Sequence, residues 1–375
     1  MKKVTMIKKM VLIVSCILFL VSQVYGKTFK VALFSPKGDS PFWSLVTNFA
    51  QEAANDLGIE LIVYDAKLNQ FTMVQQLKEA VTGPDKVDAV LFSNFKQFGT
   101  RCLDVAEEAQ VPAFMFNSGL TAKQRALAKK PREKYKFWVG VMTPDDEGAA
   151  EQIANVLIND ALNVQKLGAD KKIHVVGIAG INSDASSIVR VNGLKRAIAG
   201  RQNVVLEQVV DTDWGAEMGK EKFLRLYKRY PQTSVVWSAS YRITDGIIEG
   251  MQQENLNPGE DLFTNSVVLN EQALKDVSNG KLSATVGGHY IEGAWGIVML
   301  HDYLNNIDFA SESIELKTPM GIVTKDNVEL YLKNITAEKL SPENLRKIDF
   351  TRYSKKLNPE LNRYNFDLDS VLKQL

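Results

Sequence analysis

The sequence predicts an α/β protein built from two doubly wound, Rossmann-like lobes. Its 375 residues, of which 45% are apolar and 24% charged, suffice for about two globular domains. Short β-rich runs alternate with stretches of helical period, and the alternation occurs in two successive series. Strands that alternate with helices favour parallel sheets with right-handed crossovers.

The first series is predicted to begin with a strand at residues 29–34. Ser40 and Pro41 then have the residue types of a helix N-cap and first turn. Apolar side chains at steps of three and four continue from Phe42 to Leu57, and Gly58 is placed to end the helix. The other predicted strands of this series are 59–64, 87–92 and 111–116, and the other predicted helices are 72–81 and 100–109.

The second series is predicted to follow a strand at residues 137–141. Its predicted helices are 147–162, 186–199, 216–230 and 243–254, and its predicted strands are 173–178, 204–210, 234–237 and 263–269. Open parallel sheets bind ligands beyond the carboxyl ends of their strands. The residues that directly follow the strands are therefore the candidates for a binding site.

Residues 1–26 predict a cleaved export signal, and hence a periplasmic protein. The first nine residues carry four lysines and no acid, and the apolar run 10–21 is too short to span a bilayer comfortably. A polar break and small residues favour cleavage after Gly26, with an uncleaved anchor as the alternative. Cys16 lies in this leader, where the apolar run continues past it and argues against lipidation. Cys102 is then the only mature cysteine, so no internal disulfide is expected.

The composition and the motifs exclude several function classes. Lysine and arginine total 45 against 44 acidic residues, so no basic excess indicates nucleic-acid binding. No GxGxxG follows the first strand, no GxSxG occurs, and the three histidines lack a metal-ligand spacing. We expect no catalytic residue, metal or cofactor. His174 is expected in or beside a strand and His301 on the solvent side of a helix.

Four motifs in a fixed order carry a resemblance to a known family. They are SPFW at 40–43, VPAFMFNSG at 111–119, GIAG at 177–180 followed by RVNGL at 190–194, and NGKLSATV at 279–286. Over residues 28–324 the chain resembles type I periplasmic binding proteins, most of all the ribose- and galactose-binding proteins and the autoinducer-2 receptor. The resemblance implies two lobes that are joined by a three-strand hinge and close on a small ligand.

The resemblance implies a set of first-lobe ligand residues. They are Ser40, Phe42, Trp43, Ser93, Asn94 and Asn117. Trp43 would cover the apolar face of a sugar ring, and the Asn117 amide would both donate to and accept from hydroxyls. Alternatively, Phe42 belongs to the core face of its helix, and Asn117 is a turn residue before Gly119.

The resemblance also implies ligand residues from the second lobe and from the hinge. Those of the second lobe are Arg190, Trp214, Ser240, Tyr241 and Arg242, and His289 lies at a predicted hinge crossing. Arg190 would give two parallel bonds to ligand oxygens, with a surface salt bridge as the alternative, and Trp214 would form an aromatic clamp with Trp43. Residues 240–242 depart from the Asn-Asp of sugar binders, because a phenol and a cation replace the acceptor carboxylate.

The domain boundaries follow from the same resemblance. The first lobe is expected at residues 27–141 plus 288–314, and the second at 142–287 plus 315–340. The hinge crossings are expected near 141–144, 286–289 and 313–317. The extension 341–375 is predicted to be a strap across the lobes.

The expected function is capture of a small, sugar-like ligand by a monomer that presents its closed form to an ABC permease. The alternative is a periplasmic ligand-sensing subunit of a membrane receptor such as a sensor kinase or cyclase. An enzyme on a Rossmann-like scaffold is less favoured, since the chain lacks a nucleophile, base or metal cluster.

Overall fold

A computed structural model describes residues 28–375. The predicted export signal, its cleavage point and Cys16 lie outside the described residues. Within residues 28–375, none of the helices combines the length and the apolar character needed to cross a membrane.

The first lobe is built on a six-stranded parallel sheet. Its strands are β1 (Phe29–Ser35), β2 (Ile59–Asp65), β3 (Ala89–Phe92), β4 (Ala113–Phe116), β5 (Trp138–Pro144) and β11 (Glu315–Thr318), in the order β11-β5-β4-β3-β1-β2. Strands β1, β3 and β4 are almost wholly buried and nearly free of polar residues, as expected where helices cover both faces of a sheet. The helices of this lobe are α1 (Pro41–Asp56), α2 (Gln70–Thr82), α3 (Gly99–Ala109), α4 (Ala122–Ala128) and α10 (Glu292–Leu304).

The second lobe repeats this plan. Its strands are β6 (Ile173–Ala179), β7 (Val204–Asp211), β8 (Val235–Ser238), β9 (Phe263–Ser266), β10 (Ala284–Gly287) and β12 (Gly321–Thr324), in the order β12-β10-β9-β8-β6-β7. Only β12 runs antiparallel to its neighbour. The helices are α5 (Asp146–Asn163), α6 (Ala185–Ile198), α7 (Ala216–Arg229), α8 (Tyr241–Gln253) and α9 (Glu271–Ser278). The predicted fold class, two Rossmann-like α/β lobes, is confirmed.

The chain passes between the lobes where β5 leads into α5, where β10 leads towards α10, and where β11 leads into β12. Two predicted boundaries need correction. Residues 142–144 complete β5 in the first sheet, and Glu315–Thr318 pairs with β5 in that sheet rather than entering the second lobe. Because β11 extends the first sheet, the third crossing lies between Thr318 and Gly321, beyond the predicted 313–317.

The C-terminal segment (residues 325–375) contacts both lobes. Helix α11 (Val328–Leu332) packs against α9 and β12, whereas α12 (Pro342–Leu345) packs on α1. Its last helix is α13 (Leu368–Leu372), and Leu368 lies directly over the hinge residue Gly288. Residues 333–341 therefore form a fourth connection between the lobes.

The anchor of this segment on the first lobe is a buried carboxylate of α10. Asp302 accepts hydrogen bonds from Ser354 Oγ (2.5 Å), the Lys355 backbone N–H (2.6 Å) and the Tyr364 hydroxyl (2.8 Å). The prediction that His301 faces solvent is wrong, because the C-terminal segment covers it and leaves its side chain 5% exposed. His174 lies in β6, as predicted.

Candidate ligand-binding cleft

The first lobe presents an aromatic wall to the cleft. Ser40 caps α1 by accepting from the Trp43 backbone N–H at 3.2 Å, which fixes the start of the helix. The Phe42 ring lies 4.7 Å from the His289 ring and 5.4 Å from the Trp43 ring, and Trp43 meets Phe116 edge to face at 6.1 Å. Both Phe42 and Trp43 are half-buried against the first-lobe core, so each ring has an apolar base and a free part.

The second lobe presents a cation and an aromatic ring. Arg190, on α6, is 8% exposed and donates from Nε to Asp146 Oδ1 at 2.6 Å and from Nη1 to the Ala239 carbonyl at 2.8 Å. Its guanidinium carbon lies 5.9 Å from the centre of the Trp214 ring. These bonds use Nε and one hydrogen of Nη1. The second hydrogen of Nη1 and both hydrogens of Nη2 remain for a ligand, so the two parallel bonds from Arg190 to ligand oxygens stay a prediction.

The plane of Trp214 is fixed on two sides. Its indole Nε1–H donates to Asp184 Oδ2 at 2.8 Å, and its six-membered ring lies over Gly180, where a Cβ would come within 2.2 Å of the ring. Gly180 is thus required by the close approach of the ring. Trp214 itself has φ +69°, a left-handed conformation that is unfavourable for a bulky residue. Such strain persists where the surroundings determine the position of a side chain, and it is common at ligand sites.

The floor of the cleft contains two titratable groups with little exposure. Burial, and then the charge of Arg190, lowers the pKa of His289 well below its usual range. Burial raises the pKa of Glu292 well above its usual range, although hydrogen bonds from Thr318 and the Asn117 backbone lower it. Burial therefore favours the neutral form of both groups, and one polar atom of each, His289 Nδ1 and Glu292 Oε2, has no hydrogen-bond partner within residues 28–375.

A cavity of about 150 Å³ lies between the lobes beside these residues. Its walls include Asn117 and Lys317 from the first lobe and Asp146 and Val189 from the second. Asn117 has φ +62°, and its half-buried side chain borders this space. A larger cavity of about 370 Å³ lies elsewhere, at the amino ends of β9 and β10 beside Asp160, and none of the predicted site residues lines it.

Asn94 needs correction as a predicted ligand residue. Its side-chain amide donates to the Gly119 carbonyl at 2.9 Å and to Gln124 Oε1 at 2.8 Å, and its oxygen accepts from the Gly99 backbone N–H at 2.8 Å. These bonds join three segments of the first lobe and leave no free amide hydrogen for a ligand. Ser93, which precedes it, is buried at the end of β3.

Residues 240–242 begin helix α8. The Ser240 hydroxyl caps the helix by accepting from the Ile243 backbone N–H at 3.4 Å, and the Arg242 side chain is exposed. Burial raises the pKa of Tyr241, whose hydroxyl oxygen is buried, while the Arg242 charge lowers it. This segment places no carboxylate where the sugar-binding relatives are expected to have one.

The sequence analysis did not identify three buried acids of the site. Asp146 pairs with Arg190, Asp184 holds Trp214, and Glu292 lies under Asn117. Asp146 and Asp184 stand at helix N-termini, where an acid reads as an ordinary capping residue. Glu292 lies in an otherwise apolar helix. An acid in an apolar helix was the feature of the sequence that could have identified it as a site residue.

The whole arrangement, two α/β lobes with a polar and aromatic cleft at the hinge, defines a ligand-binding protein of the periplasmic type. The periplasmic binding protein domain family matches residues 31–308, and the chain belongs to this family. The predicted type I periplasmic binding protein is thereby confirmed, and membership implies a periplasmic location.

Named relatives agree with this assignment. The chain is 22% identical to the galactofuranose-binding protein YtfQ of Escherichia coli (strain K12) over 258 residues, which is 68% of this chain and 75% of that protein. A periplasmic sugar-binding protein from Pseudomonas fluorescens superimposes with a TM-score of 0.79 at 27% identity, covering 92% of this chain and 99% of the other. The binding protein of the arabinose ABC transporter from Shewanella sp. ANA-3, bound to L-arabinofuranose, gives a TM-score of 0.70 at 17% identity and covers 84% and 98% of the two chains.

Proposed function

We propose that this protein captures a small neutral sugar between its lobes and presents the closed form to an ABC transporter. The observation that carries the proposal is the contact of the buried Arg190 guanidinium with the Trp214 ring on the second lobe, and Trp43 at the start of α1 offers a ring on the first lobe. Aromatic rings bury the apolar face of a sugar, and a fixed guanidinium bonds its oxygens. The relatives support this ligand class, since their names include galactofuranose and arabinofuranose binding.

The cleft charges favour a neutral ligand over an acidic one. The Arg190 charge is already paired with Asp146, and Asp184 adds a second carboxylate near Trp214. A sugar acid would bring a further negative charge into this buried space, next to an Arg190 charge that Asp146 already compensates. No catalytic step is part of the proposal, because the neighbouring groups bind and orient rather than form a nucleophile and base pair.

A thermal-shift and calorimetry screen tests the ligand. The panel contains L-arabinose, D-galactose, D-ribose and D-allose, with D-galacturonate and a mixture of amino acids as comparisons. A neutral sugar at a hundred times its dissociation constant should stabilise the protein by about 2.7 kcal/mol. Stabilisation by amino acids alone would contradict the proposal.

Transport requires a separate test. Deletion of the gene should abolish uptake of the labelled sugar at low external concentration, and wild-type protein supplied in trans should restore it. Restoration by a variant with Trp43 and Trp214 both replaced by alanine would show that the cleft is not used. Unchanged uptake in the deletion strain, with intact ligand binding, would remove the transporter from the proposal.

A further inference from the structure

Asp184 occupies the N-cap position of α6 but does not cap the helix. Aspartate at this position commonly accepts a backbone N–H of the first turn, and loss of such a cap costs about 1 kcal/mol. Here the side chain makes no capping hydrogen bond, and its Oδ2 accepts from Trp214 Nε1 at 2.8 Å instead. The Asp184 carboxylate therefore bonds the cleft residue Trp214 instead of the backbone of its own helix.

The second carboxylate oxygen of Asp184 is buried and unused. The residue is 8% exposed, and Oδ1 has no partner of acceptable hydrogen-bond geometry within residues 28–375. A buried acceptor that is left unpaired destabilises the folded protein, and more so when it is charged. The backbone N–H of Lys96 lies near the carboxylate without completing a hydrogen bond of standard geometry to Oδ1, so Oδ1 can accept a bond from a ligand.

Oδ1 also lies where the two lobes meet. Burial raises the pKa of Asp184, whereas the Trp214 hydrogen bond and the backbone N–H and charge of Lys96 lower it. Lys96 belongs to the first lobe, in the turn after β3, and has φ +46°, which is unfavourable for lysine. The Asp184 carboxylate is thus enclosed by Trp214 from its own lobe and by Lys96 from the other.

Within residues 28–375 the other acids at the cleft are already engaged. Asp146 is bonded to Arg190, Glu147 is paired with Arg196, and burial favours the neutral form of Glu292. Sugar hydroxyls each carry a proton that must be accepted when the cleft closes and water leaves. We propose that Asp184 is a specificity-determining residue whose Oδ1 accepts a hydrogen bond from one ligand hydroxyl while its Oδ2 fixes the Trp214 ring against the same ligand. This inference rests on the proposed sugar-binding function.

The test uses Asp184→Asn and the sugar of the screen that binds the wild-type protein. Asparagine keeps an oxygen for Trp214 Nε1 and replaces the free acceptor by a donor, so affinity should fall at least tenfold. Asp213→Asn is the matched control, since this exposed acid precedes Trp214 in the loop after β7 and accepts from the Gly215 backbone N–H, and the affinity of this variant should be unchanged. The deoxy analogue that lacks the contacted hydroxyl should bind the wild type and Asp184→Asn equally.

The outcomes separate the two hypotheses. If no sugar binds the wild type, the proposed function is wrong. If sugars bind and Asp184→Asn retains wild-type affinity, the function stands and this inference is wrong. If Asp184→Asn weakens every deoxy analogue by the same factor, and Trp214→Phe does likewise, Asp184 acts only by holding the ring and the inference is overturned.

A measurement on the wild-type protein keeps the test open should Asp184→Asn fail to fold. A deoxyfluoro sugar keeps the size of the hydroxyl and cannot donate a proton. At one ring position the fluoro analogue should bind at least tenfold more weakly than the parent sugar. Equal affinity of the analogues at all positions would overturn the inference.

Discussion

Arg190 and Asp146 form a buried ion pair with a separation of 2.6 Å between Nε and Oδ1, and it joins α6 to the start of α5. Burial raises the pKa of Asp146, while the Arg190 charge and hydrogen bond lower it. Arg190 therefore compensates a buried carboxylate of its own lobe. The proposed function gives it a second task, which is to donate from its remaining N–H groups to the ligand.

Arg190→Ala should reduce both ligand affinity and stability. Breaking a buried pair by removing one partner costs about 3 to 5 kcal/mol, because the other charge is left uncompensated. We expect the free energy of unfolding of the ligand-free protein to fall by about 3 kcal/mol, measured by urea denaturation.

The double variant Arg190→Ala/Asp146→Asn separates the two tasks. It removes the uncompensated charge, so most of the stability should return while ligand affinity stays low. Recovery of affinity together with stability would contradict direct ligand contact by Arg190. The sequence alone predicted the binding task and not the structural one, since Asp146 lies 44 residues from Arg190 along the chain.

The sequence predicts those parts of the molecule that depend on local pattern. Strand and helix periods predict most strands of both sheets, and strand ends predict where a ligand would bind, because parallel sheets place their carboxyl ends at one edge. The family resemblance then implies Asn117, Arg190 and Trp214 within those regions. Contacts between residues that are distant in sequence account for the features that the sequence did not predict. Asn94 has the residue type of a ligand contact, yet loops distant in sequence saturate its amide.

Strand order and burial by distant segments also depend on contacts that the local sequence pattern does not show. Nothing in the local pattern of Glu315–Thr318 shows that it pairs with β5. His301 has a polar side chain at a helical position that reads as exposed, and only the return of Ser354 from the C-terminal segment buries it.

His174 should make the stability of the second lobe depend on pH. Burial lowers its pKa, but hydrogen bonds and charges from Asp170 and Glu207 outweigh this effect and raise the pKa above the usual value. A histidine with a raised folded-state pKa adds stability below its unfolded pKa of about 6.5, and this stability is lost as the pH rises through the folded-state value. The difference in unfolding free energy between wild type and His174→Gln should therefore be larger near pH 6 than near pH 9. A pH-independent difference would mean that the imidazole is neutral throughout.

Glu292→Gln should stabilise the ligand-free protein increasingly as the pH rises. The folded state holds a proton on Glu292 that the unfolded state releases above about pH 4.3, so ionisation opposes folding as the pH increases beyond that value. Glutamine keeps an oxygen for Thr318 and the Asn117 backbone and cannot ionise. The gain in melting temperature over wild type should be small near pH 4 and larger near pH 8. A gain of equal size at both pH values would show that Glu292 is ionised in the folded protein.

Tyr364→Phe should loosen the C-terminal segment from the first lobe. The Tyr364 hydroxyl donates to the Asp302 carboxylate at 2.8 Å, and hydrogen bonds to charged groups contribute about 1.5 to 3 kcal/mol. The C-terminal residues Ile335 and Leu340 belong to the same buried cluster as Trp295 of the first lobe and Leu269 of the second, so the segment couples the cores of the two lobes. We expect the free energy of unfolding to fall by about 2 kcal/mol. In native-state hydrogen exchange monitored by mass spectrometry, residues 341–375 should exchange earlier than the sheets.

Tyr230→Phe is the control for this prediction. The Tyr230 hydroxyl donates to the neutral Gln208 Oε1 at 3.2 Å within the second lobe, so its loss should lower the free energy of unfolding by no more than about 1 kcal/mol. If Tyr364→Phe left both the unfolding free energy and the exchange of residues 341–375 unchanged, the Asp302 anchor would not hold the segment, and the coupling of the lobes would depend on its apolar contacts alone.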